Sequence, residues 1–211
     1  MLRDGFAALG LTLAATTFAA APGLADSLLA GMAKTPPVST PFVEVGYHGV
    51  LDRPLIVSGT LHWLGNDRME RDIAKPFREI AKIGDGELSV QRGKHEVHRM
   101  PLSRAPQVGA ILAGFRALLG GNVSALEKNF TLSAVGGEAH WVITLTPRTD
   151  PLKQQLVSIV IDGRGHEPRC LTVSNTNGDS SITLVGAMAE QGLESVAPLE
   201  SALAARCRND P

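Results

Sequence analysis

The stretch "PLIVSGTLHWLG", residues 54–65, constrains the fold more than any other in the chain. Leu55, Val57, Leu61 and Trp63 alternate with Ile56, Ser58, Thr60 and His62, a period of two that belongs to a strand and not to a helix. The first set is apolar throughout and the second mostly polar, so the two faces of the strand disagree, as in a half-buried sheet. Similar runs return at 42–48, 71–83, 87–91 and 96–102, and again at 130–135, 139–146, 155–162, 169–174 and 181–185. Turn residues such as "GDG" at 84–86 and "RGK" at 92–94 sit between several of them. Strands so closely spaced pair in sequence and antiparallel, and a long meander of this kind curls.

The meander is interrupted once. Val108, Ile111, Leu112, Phe115, Leu118 and Leu119 fall at helical spacing, and Gly120 and Gly121 end that helix. Its other side is Gly109, Ala110, Ala113, Gly114 and Ala117, so the helix is apolar nearly all round. Two arrangements satisfy that pattern: burial within the core, or a helix lying across a concave sheet over an apolar cavity. A second helix is expected from Ser124, with Glu127 completing a capping box. The segment "DSLLAGMAK" predicts an N-terminal helix capped by Asp26 or Ser27, and 198–207 a closing helix.

Residues 1–25 read as a secretory signal, with Arg3 ahead of an apolar run from Phe6 to Ala21 and cleavage expected after Ala25. The apolar run is short for a membrane anchor. The rest, 26–211, reads as a single domain placed outside the inner membrane. Cys170 and Cys207 are the only cysteines, and in an oxidising compartment such a pair predicts a bridge; two separate buried thiols are the alternative. Lys plus Arg is 20 against 21 for Asp plus Glu, a balance that argues against nucleic acid as a partner.

No catalytic pattern accompanies the sheet. His95, Glu96 and His98 resemble a zinc-protease motif, but the histidines are three apart in an expected strand instead of four apart on a helix. There is no G-x-S-x-G elbow, P-loop or dinucleotide fingerprint, and the carboxylates are scattered. His62, His140 and His166 have no serine singled out for them by spacing. The expectation is a protein that is not an enzyme and uses neither metal nor cofactor.

"PFVEVGYHGVLDRPLIVSGTLHWLGNDRMERDIAKPFRE" resembles the opening of the LolA-like outer-membrane lipoprotein carriers. Phe42, Glu44, Leu51, Pro54, Leu55, Gly59, Leu61 and Pro76 match that family's pattern, and Leu118, Leu119, Leu126, Phe130, Trp141, Leu145 and Pro147 its later one. The resemblance implies an α+β fold: a strongly curved antiparallel sheet, an unclosed half-barrel, with helices covering its concave face. It also implies a periplasmic carrier or chaperone that holds acyl chains of a lipoprotein or lipid in an apolar cavity for transfer towards the outer membrane. Such a carrier works as a monomer with transient inner- and outer-membrane protein partners. The family's arginine-proline step after the second strand is missing from "LGNDR", so no lid role passes to Arg68. The cysteine pair resembles a divergent branch associated with aryl polyene lipids, which makes such a lipid a possible cargo.

For a carrier, the concave side should be aliphatic and uncharged. The expected lining is Leu55, Val57, Leu61 and Trp63, with Trp141 and Ile143 from the later sheet and Ile111, Leu112, Phe115 and Leu119 from the helix. Each could instead be an ordinary core residue. A cell-envelope lipid hydrolase and a non-catalytic module docking a hydrophobic segment are the alternative functions.

Overall fold

The computed structural model of the chain describes residues 23–66, 68–104, 123–193, 195 and 197–209. Helix α1 (Leu24–Met32) is followed by β1 (Val38–Tyr47), β2 (Leu55–Gly65), β3 (Arg68–Lys75), β4 (Glu79–Gly84), β5 (Glu87–Arg92) and β6 (His98–Pro101). Then come α2 (Val123–Glu127), β7 (Phe130–Gly137), β8 (His140–Pro147), α3 (Asp150–Lys153), β9 (Leu156–Arg164), β10 (Glu167–Asn175) and β11 (Ser180–Val185). Two helices, α4 (Ala187–Gln191) and α5 (Glu200–Asn209), end the described chain. The expected helix around Ile111, Leu112, Phe115 and Leu119 lies outside the described residues.

Eleven strands make one antiparallel sheet in the order β6-β5-β4-β3-β2-β1-β11-β10-β9-β8-β7. It is unclosed, with β6 and β7 at its two edges, and β1 joins the two halves by pairing with both β2 and β11. Register sets the faces. Trp63 stands opposite Val38 and Met69, Leu61 opposite Thr40 and Arg71, and Gly59 opposite Phe42 and Ile73. In the other half Ile161 stands between Ile143 and Leu171, and Leu171 beside Thr183.

That inner face carries the main cluster, in which Trp141, Ile143, Leu145 and Ile161 are fully buried with Leu29 and Met32 of α1 and Leu126 of α2. The opposite face carries a second cluster: Val45, Ile182 and Leu184 under Met188 of α4 and Leu203 and Cys207 of α5. Ile56 packs partly against this one. The mixed side of β2 is thus explained, since its Ile56 meets a covered patch while His62 bonds Ser39 at an exposed position. Cys170 and Cys207 are disulfide-bonded, tying α5 to β10.

Two glycines are required by neighbours. A Cβ at Gly59 would stand 1.8 Å from the Asp72 carbonyl oxygen, where a register shift brings β3 against β2. A Cβ at Gly163 would stand 2.1 Å from the Trp141 ring, which lies across that position.

Several expected bounds shift. The single strand foreseen over 71–83 is two, β3 and β4, because Pro76 offers no N–H to a ladder and the chain turns there. The strand foreseen over 96–102 is only His98–Pro101; His95 and Glu96 precede it in a turn and loop, and His98 is exposed in it. Helix α1 starts at Leu24 with Gly23 as its N-cap, so Asp26 lies in its first turn and caps nothing. There its charge still suits the helix N-terminus. Leu24 and Ala25, on the leader side of the expected cleavage point, pack against the main cluster. Val123 already belongs to α2, which puts Ser124 inside that helix and not at its cap. The closing helix runs Glu200–Asn209.

Candidate ligand cavity

A cavity of about 100 Å³ lies on the inner face between the two halves of the sheet. Leu61 and Trp63 of β2, Met69 of β3, Ile161 of β9, Leu171 of β10 and Val185 of β11 form much of its wall. β3 and β9 are five strands apart in the sheet order. In a flat sheet that separation is roughly 24 Å. Side chains from both meet around one small cavity because the sheet bends about it, so the cavity face is the concave one.

The end of α1 closes the cavity from above the sheet. Met32 lines it, as does Lys34 just past the helix. Two contacts seat this segment on the β9–β10 turn. The Lys34 Nζ donates to Glu167 Oε1 at 2.6 Å, and the His166 ring lies against Gly31, 2.1 Å from where a Cβ would be. Lys34 and Glu167 are the charged members of the described cavity wall.

The expected lining divides. Leu61 and Trp63 are on the cavity wall. Val57 packs beside it with Phe42, Ile73 and Val185. Leu55 lies at the far end of β2 and is exposed. Trp141 and Ile143 are on the same face but within the packed main cluster. Ile111, Leu112, Phe115 and Leu119 fall outside the described residues.

The concave face is not free of charge, which corrects the expectation of an aliphatic one. Arg71 Nη2 donates to Glu44 Oε1 at 2.8 Å, and the Thr183 hydroxyl donates to the other Glu44 oxygen at 3.2 Å. The Arg71 guanidinium also lies over the Phe42 ring, 4.9 Å from its centroid. These positions follow from the strand period: Glu44 alternates in step with Phe42, and Arg71 with Met69 and Ile73. Reading that alternation through the charged residues as well as the apolar ones would have found the pair.

The two tryptophans differ in a way that matters for a ligand. Trp141 Nε1 donates to the Gly165 carbonyl at 2.8 Å. Trp63, 8 % exposed, has its Nε1 buried with no acceptor among the described residues. A buried donor without a partner costs about 1–3 kcal/mol, which an acceptor brought in by a ligand would recover.

Displaced pKa values occur away from the cavity. Burial raises the Asp162 carboxyl, against the opposing hydrogen bond to His140. Burial, then the charge of Glu200, raises the Tyr47 hydroxyl. Hydrogen bonds from His48 and from the Gly49 amide hold Asp179 low. His48 and His140 thus have carboxylate partners, at 3.1 and 3.4 Å, while His62 pairs with the Ser39 hydroxyl at 2.8 Å. Serine, histidine and carboxylate are not brought into one chain of hydrogen bonds among the described residues. No group of three or more potential metal ligands is assembled among them either.

A family model described as outer membrane lipoprotein carrier protein LolA-like matches residues 18–209. The chain belongs to this LolA-like family. Among solved structures it is similar to the LolA superfamily protein NE2245 from Nitrosomonas europaea, at 11 % identity and a TM-score of 0.42, covering 77 % of this chain and 91 % of that one. It is also similar to a DUF1329 family protein from Desulfovibrio piger, at 12 % identity and a TM-score of 0.39, covering 85 % and 97 %. A third is LprF from Mycobacterium bovis, at 14 % identity and a TM-score of 0.36, covering 86 % and 99 %. No curated protein sequence matches the chain. The unclosed eleven-stranded sheet is the half-barrel of this LolA-like carrier fold. Among the described residues no helix is long and apolar enough to cross a membrane.

Proposed function

We propose that this LolA-like protein is a periplasmic carrier that shelters the hydrocarbon of a lipid or lipoprotein and hands it on towards the outer membrane, without catalysing a reaction. In this reading residues up to about Ala25 are removed on export, and the domain from Asp26 onward works as a monomer between membrane partners. The supporting observation is the apolar cavity walled by Leu61, Trp63, Met69, Ile161, Leu171 and Val185 on the concave face.

Transfer of an acyl chain out of water gains about 0.8 kcal/mol for each methylene buried. A dry cavity of ~150 Å³ accepts one benzene. At about 100 Å³ this cavity takes only the end of a tail in the present form. A longer chain needs the cavity to widen or must run on along the concave face, past Val57 and Phe42. Partial enclosure suits release as well as capture, because each methylene left uncovered lowers the cost of handing the tail on.

Native mass spectrometry of protein purified gently from its own envelope tests this. A co-purified species with the mass of a lipid or acylated peptide is expected, lost on delipidation and regained on incubation with the extract. Protein that arrives bare and takes up nothing from total envelope lipid would contradict the proposal.

A further inference from the structure

We propose that the cavity receives an apolar chain ending in an anionic group, and that Lys34 holds that group at the rim. This names the head chemistry of the cargo and rests on the carrier reading above.

The described wall is mostly apolar, with the Thr40 side chain among its polar members, and its charged residues are Lys34 and Glu167, which bond at 2.6 Å. The two are not equivalent. The Lys34 side chain is 35 % exposed and that of Glu167 69 %. Lys34 is held between the end of α1 and the β9–β10 turn, whereas Glu167 stands largely in water. A tail lying against Leu171, Val185 and Trp63 brings its head to this rim.

The asymmetry sorts head groups. An anionic head takes over the Lys34 ammonium, and Glu167 swings back to solvent; exposed ion pairs contribute little, so this release is cheap. A cationic head must compete with the Lys34 ammonium for Glu167 and is repelled by it at close range, so it gains least. A neutral head disturbs nothing and gains nothing. His166, seated on Gly31 in the same turn, adds no competing negative charge. Carboxylate and phosphate monoester share the required chemistry, since an ammonium binds either as a point charge.

Isothermal titration calorimetry below the micelle concentration reads this directly, using dodecanoate, dodecyl phosphate, 1-dodecanol and dodecylammonium. The wild-type chain should bind the two anions about tenfold more tightly than dodecanol, as one charge-assisted hydrogen bond implies. Dodecylammonium should bind most weakly. Lys34→Gln should remove the anion preference, weakening both anions by several-fold more than it weakens dodecanol. Lys34→Arg should keep it, and Glu167→Gln should keep or enlarge it. A stronger response to one anion than to the other identifies the cargo head as carboxylate or phosphate. Equal affinity for all four ligands, or a Lys34→Gln loss that falls on dodecanol as heavily as on the anions, overturns the assignment of Lys34 alone. Binding of none of them by protein that does take up envelope lipid overturns the head-group assignment alone, whereas failure to take up envelope lipid as well overturns the carrier reading.

Discussion

The disulfide between Cys170 and Cys207 is the feature whose removal has the most calculable effect. The two residues are 37 positions apart, and their bond fastens α5 to β10. Closing a loop of that length restricts the unfolded chain by about 4 kcal/mol in the chain-entropy model. In the folded protein α5 offers little to replace it, because only Leu203 and Cys207 of that helix are buried. The Cys170→Ser/Cys207→Ser variant should therefore lose about 3–4 kcal/mol in urea titration, with a lower midpoint and a slope that rises as the unfolded chain expands. Dithiothreitol should bring the oxidised wild type close to the variant and leave the variant unchanged. A shift below about 1 kcal/mol would refute the reasoning, because α5 would then be held by its packing alone. The same bond bears on compartment: protein made in a reducing cytosol should show the variant's stability until it is oxidised.

Gly163→Ala should cost about 1–3 kcal/mol and alter the near-ultraviolet circular dichroism, since its Cβ would meet the Trp141 ring. Gly59→Ala should cost at least about 2 kcal/mol, because the added carbon meets backbone of β3 that cannot move without breaking ladder bonds; urea midpoints measure both. For Asp162 the sign follows from its raised pKa. The folded carboxyl holds its proton more tightly than the unfolded one, so ionising Asp162 removes stability as pH rises from the unfolded pKa through the folded one. Asp162→Asn should lose that part of the decline, and at pH 7 its urea midpoint should equal or exceed the wild type's.

Much of the sheet could be read from period-two runs because burial on one face imposes that period locally. β2 shows it: Val57, Leu61 and Trp63 face inward as the alternation requires. The break between β3 and β4 was equally local, marked by Pro76, and would have been read had its missing N–H been weighed against the run of apolar residues on either side. The cavity is a different matter. Its wall draws on β2, β3, β9, β10 and β11, so membership depends on register and on how sharply the sheet bends, neither of which one strand records. Trp141 and Ile143 have the same alternation as Trp63, yet α1 and α2 pack over them and not over Trp63 in the same way. Lys34 and Glu167 are 133 residues apart and become neighbours only through the fold. Glu44 and Arg71 were legible in principle, since their charges sit in phase with Phe42 and Met69 on one face.

The most direct measurement is contact between a bound tail and Trp63. Dodecanoate carrying bromine near the middle of its chain quenches an indole only at short range. With binding established by calorimetry, this ligand should quench the part of the emission that Trp63→Phe removes and spare that of Trp141 in the packed cluster. Saturable binding that leaves the Trp63 emission untouched would show that the tail lies elsewhere, and the cavity would not be the carrier's hold.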